Sequence, residues 1–88
     1  MFQNSVNIAG KRQGTFATGS QSELLVAGVY DVWADNNVYI KVDPTLASNV
    51  TSGTGYLIQA GNIVPVRLTA PAYIGGAGIG NVYYHRVD

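Results

Sequence analysis

Residues 29–43 read VYDVWADNNVYIKVD, and this stretch decides the fold class. Val38, Ile40 and Val42 alternate with Tyr39, Lys41 and Asp43, the period-two pattern of a strand with one buried and one wet face. Tyr30, Val32 and Ala34 alternate in the same way with Val29, Asp31 and Trp33. Both faces of that earlier run carry apolar bulk, which predicts a more central strand or one with a partner on its second face. Asp35-Asn36-Asn37 is polar and short, so the two runs are expected to form a hairpin. Val38, Ile40 and Val42 are its expected core face.

The remaining chain repeats this style. Residues 5–9 read as a short first strand, and residues 10–19 as a polar loop or extended arm with a brief strand near residues 14–17. Residues 23–27 form a second apolar run that Gly28 interrupts. Asp43-Pro44 ends the strand, because proline restricts the residue before it and donates nothing to a ladder. Residues 44–55 read as a loop in which residues 45–48 make one helical turn. Residues 56–60 and 63–69 flank Gly61-Asn62, which predicts a second hairpin, with Pro65 pointing to an edge position or a bulge. Residues 71–74 make a short strand, the run GGAGIG at 75–80 a flexible connection or bulge, and residues 81–87 a last strand. No segment sustains a helical period. The expectation is a small all-β fold, an antiparallel β-sandwich or barrel of jelly-roll type, with seven or eight short strands and no long helix. Residues 1–19 form an N-terminal arm or edge strand, and residues 20–88 a single β-domain.

Composition limits the chemistry. Eighty-eight residues make a thin core. Cysteine is absent and His85 is the sole histidine, so neither disulfides nor a zinc site of thiolates or imidazoles is expected. No metal or other cofactor is expected. Association is the stabilising device left to a small domain, and a homo-oligomer, dimer or trimer, follows. Five basic residues balance five acidic ones, which gives no footprint for nucleic acid or anionic membrane. Only 11% of residues are charged, less than half the usual share of about 25%, so much of the surface is expected to be covered by partners. The N-terminus lacks the pattern of a secretory signal, and no run approaches the length of a membrane span. Synthesis in the cytoplasm is the expectation.

The reactive side chains are few and poorly arranged. Asp31, Asp35 and Asp43 cluster in sequence and are best read as a turn former and two solvent-facing strand acids. His85 could be drawn into a triad with Ser5, Ser20, Ser22, Ser48 or Ser52, but none lies in a nucleophile elbow. The run at 75–80 fits no phosphate-binding fingerprint, and no helix follows it. No catalytic residue is expected, and the chain reads as a non-enzyme. The aromatics are more informative. Some of the aromatics must fill the core, but Tyr39 and Tyr83 lie opposite Val38 and Val82 on their strands, and they and Trp33 are the candidates to stack on a sugar or anchor a protein contact.

The segments VYDVWADNNVYIKV at 29–42, TGYLIQAGN at 54–62 and VYYHRV at 82–87 resemble small virion-associated proteins of tailed bacteriophages. The likeness extends over residues 26–87. It implies a structural virion protein, a capsid decoration or cement protein that docks on the major capsid protein or another virion protein. A receptor- or carbohydrate-binding module, or another small tail or head–tail component, is the alternative. In the first reading Phe2, Val6 and Ile8 of the N-terminal arm anchor the chain by strand addition at an exposed edge.

Overall fold

The computed structural model describes residues 13–88. They form seven strands: β1 (Gln13–Ala17), β2 (Gly28–Ala34), β3 (Val38–Asp43), β4 (Tyr56–Ile58), β5 (Val64–Leu68), β6 (Tyr73–Gly78) and β7 (Asn81–Arg86). All pairings are antiparallel, in a four-stranded sheet of order β1-β7-β2-β5 and a three-stranded sheet of order β4-β3-β6. The inner faces of the two sheets meet in one apolar cluster. Phe16, Tyr30, Val32, Ala34, Leu68, Val82 and Tyr84 come from the larger sheet, and Val38, Ile40, Ile58 and Ile74 from the smaller. The fold is therefore a β-sandwich, as the alternation predicts. Each fully buried Val or Ile contributes about 1.5–3 kcal/mol of transfer free energy.

Both expected hairpins are corrected. β2 pairs with β5 and β7, whereas β3 pairs with β4 and β6, so the chain changes sheets at Asp35-Asn36-Asn37. Likewise β4 lies in the smaller sheet and β5 in the larger, so the chain also changes sheets across Gly61-Asn62. Of the run expected to be a flexible connection or bulge, residues 75–78 instead build β6 to its end, and only Ile79 and Gly80 make the crossing to β7. The sandwich is thus three bent arms side by side. The β2–β3 arm is central, with β4–β5 on one flank and β6–β7 on the other.

The reason lies at the corners. Among the described residues none other than glycine has positive φ. A two-residue hairpin loop of type I′ requires positive φ at both central positions, and three-residue loops require it at one. Asn36 and Asn37 do not supply it. Their corner is held instead by its neighbours: the Asn81 N–H donates to Asp35 Oδ1 (2.8 Å), the Ala60 N–H to Asn37 Oδ1 (2.9 Å) and the Gly61 N–H to the Ala34 carbonyl (3.0 Å). Gly80, at φ 110°, sits where a Cβ would overlap Asp35 Oδ1. All three corners are stitched together at one end of the sandwich.

Three smaller expectations also change. Residues 45–48 make no helical turn, because Asp43 Oδ1 accepts the N–H groups of Thr45 and Leu46 (2.8 and 3.0 Å) and holds a bend. Residues 23–27 are not a strand; only an isolated bridge between Leu25 and Ala72 forms there. Val42 lies at the open end of its face and remains 39% exposed, while Val38 and Ile40 are buried. β2 is interior to its sheet, and Pro65 lies on edge strand β5, as their sequences suggest.

Candidate functional site

The two outer faces of the sandwich differ. On the smaller sheet the outward residues of β3 are occupied by the loop at 44–55. Asp43 caps the start of that loop, and Lys41 Nζ donates to Asn49 Oδ1 (2.9 Å). The added Cβ of a residue at Gly55 would touch both Val50 and the Tyr39 Cβ, which places the loop against Tyr39. Ala47 and Val50 of the same loop are buried. The N–H groups and hydroxyl aimed at Asp43 pull its carboxyl down to about 2.

On the larger sheet the outward residues of β1, β7, β2 and β5 form rows. Thr15, Tyr83 and Trp33 share one row, and Gln13, His85, Asp31 and Pro65 the next. Trp33 and Tyr83 stack, with ring centroids 5.9 Å apart and planes within 13°. They border a shallow cleft of about 330 Å³ with Gln13, Gly14 and Thr15 at its other wall. Beneath it Tyr84 is buried; burial first, then the Glu23 carboxylate that its hydroxyl donates to (3.3 Å), push its phenol up to about 12.

Of the residues singled out from sequence, the structure therefore brings Trp33 and Tyr83 into contact and puts Tyr39 on the opposite outer face. Phe2, Val6 and Ile8, like the strand expected at residues 5–9, lie outside the described residues. Asp31 and Asp43 sit on different sheets and make no pair. His85 neighbours Asp31 in register, while the Ser22 hydroxyl is committed to the Ile74 N–H (2.9 Å) and the Glu23 carbonyl (2.8 Å). Among the described residues no three His, Asp or Glu side chains gather as metal ligands would.

A second surface feature escapes the sequence. An open groove of about 500 Å³ runs between the sheets on the β4–β5 side, lined by residues 40–42, Tyr56 and residues 64–66. It exists because β4 is short: β3 is paired on that side only from Val38 to Ile40, and its last residues continue uncovered by any described strand. Val42, Val64 and Val66 read as core from their alternation. The signal that could have exposed them is Pro65, which places its strand at an edge.

The chain matches no family model, no curated protein and no solved structure.

Proposed function

We propose that this chain is a structural virion protein of a tailed phage, a decoration-type protein that docks non-covalently across subunits of the capsid. The observation that carries this reading is the stacked Trp33–Tyr83 pair, half-buried on the outer face of the larger sheet and bordering an open cleft. Rigid aromatic pairs are the commonest anchors of protein contacts, since they bury much area at little entropic cost. The low charge of the chain suits a surface that is desolvated on docking. Many copies on a symmetric lattice would add avidity to a modest single contact. The resemblance of the 29–42, 54–62 and 82–87 segments to virion proteins supplies the partner class.

Co-sedimentation of the purified protein with mature, undecorated capsids tests the reading. Saturable binding is expected, reduced at least tenfold in Trp33→Ala/Tyr83→Ala, since losing an anchor costs about 1.4 kcal/mol or more. A second reading, a sugar-binding module, is favoured by Gln13, whose amide lies beside the aromatic pair, and by Thr15, whose hydroxyl donates to the Val82 carbonyl (2.9 Å) and can still accept. The same protein is presented to host-surface glycans. Binding to glycans with no binding to capsids would replace the first reading by the second.

A further inference from the structure

The β4–β5 groove is apolar, and it opens on a side of the sandwich that no described strand closes. Its one charged lining residue, Lys41, already directs its ammonium to Asn49 (2.9 Å) and Asp43 (3.8 Å). What fits such a groove is an extended, uncharged segment with apolar residues at every second position. The chain contains one. Residues 1–10, MFQNSVNIAG, carry no charged side chain, and Val6 and Ile8 fall on one face of an extended chain. Their spacing of two residues, about 6.8 Å, equals that of Val64 and Val66 on β5. Pro65 offers no N–H on β5, so side chains seated in the groove would carry the contact more than a ladder along β5.

The geometry at the other end of the sheet decides whose segment this is. The chain enters β1 at Gln13, and β1 is first in the order β1-β7-β2-β5, whereas the groove adjoins β5, the last. A molecule's own segment would have to cross three strand spacings, about 14 Å, over the Trp33–Tyr83 face before turning into the groove. From Gln13 back to Ile8 is five residues, a reach of about 17 Å, nearly all of which that crossing would use before the turn into the groove. A neighbour's segment meets no such detour. We infer that the groove receives residues 2–8 of a second copy of this chain, with Val6 and Ile8 seated against Val42, Val64 and Val66. Because donor and acceptor lie on opposite sides of the sandwich, the contact is head-to-tail and builds closed rings or rows. This inference is independent of what the Trp33–Tyr83 face binds.

Full-length variants test it by complementation. Val6→Asp/Ile8→Asp spoils the donor and leaves the groove; Val42→Asp spoils the groove and leaves the donor. Sedimentation equilibrium should show wild type as an oligomer, each variant alone as a monomer, and their mixture as a one-to-one heterodimer. A donor variant that associates as well as wild type overturns the inference. So does a monomeric wild type, and if its melting temperature then exceeds that of the donor variant, the occupant is the molecule's own segment. The donor substitutions fall on none of the seven strands, so their result decides the matter even if Val42→Asp fails to fold.

Discussion

The two long sides of the sandwich solve the same problem differently. Each side ends in strands whose outer hydrogen-bonding groups need partners. On the β1–β6 side the chain itself supplies them along β6. Between β1 and β2 it crosses from one sheet to the other and runs along β6: the Gly19 N–H donates to the Gly76 carbonyl (2.8 Å), the Ser22 N–H to the Ile74 carbonyl (2.7 Å), and Leu25 and Ala72 exchange both their bonds (2.9 and 3.0 Å). Gln21 Oε1 then accepts the Ala47 and Ser48 N–H groups (2.8 and 3.1 Å), which fastens the 44–55 loop to the same seam. On the β4–β5 side no described residue does this, and the core shows through as a groove. One side is sealed by irregular backbone; the other is left for something else to seal. The contrast teaches that the side needing the most sequence to close is the one dedicated to stability.

The sharpest way to break the sealed side is Gly75→Ala. A Cβ there would overlap the Ala47 carbonyl oxygen, which is backbone and has nowhere to go. We expect a loss of about 3 kcal/mol, read as a drop in the urea midpoint at constant slope. Ser22→Ala should cost less, about 2 kcal/mol, because it leaves the buried Ile74 N–H unpaired; the same denaturation curve measures it. On the open side Val42→Thr should change stability by less than about 0.5 kcal/mol, since Val42 is already 39% exposed. A larger loss would mean that the groove belongs to the core after all. The smallest effect concerns the bend that starts the loop reaching the seam. Asp43 titrates at about 2 when folded against 3.8 ordinarily, so its contribution is present above about 4 and is lost as pH falls toward 2. Thermal melts of wild type should therefore decline more steeply over that window than those of Asp43→Asn. At the alkaline end Tyr84, held at about 12 against 10, acts in the opposite sense: the stability tied to its protonated form is lost as pH rises from 10 to 12.

Much of the strand placement was legible in the sequence, and none of the sheet assignment was. Alternation states which side chains turn inward, and it does so correctly for Val38, Ile40 and Val82, whereas residues 29–34, apolar on both faces, left the buried Tyr30, Val32 and Ala34 undecided against Trp33. It is silent on which strand lies beside which, since a hairpin and a change of sheet both put a short polar turn between two alternating runs. The bonds that decide the matter join Asp35 to Asn81 and Asn37 to Ala60, pairs far apart in the chain. One local clue was present: Asp35-Asn36-Asn37 has no glycine, the residue that supplies positive φ most readily. The glycines at 75, 76 and 78 misled for the opposite reason. They mark close approach of backbone and side chains within a strand, where freedom at a turn was the simpler expectation. As for the site, the opposition of Tyr83 to Val82 was readable, but the outward side of Trp33 and its contact with Tyr83 depend on the β2–β7 pairing and were not.

The position of β7 carries a consequence for how the molecule is made. It is the last of the described strands to be synthesised, yet it lies inside the larger sheet, between β1 and β2. Until it arrives, β1 has no neighbour in its sheet, and the stacked aromatic face does not exist. Among the described strands the only consecutive ones that pair with each other are β3 and β4, and they span a 12-residue loop at 44–55. Folding of this chain is therefore a late, collective event dominated by distant partners, expected on the slow, millisecond-to-second scale of all-β sandwiches.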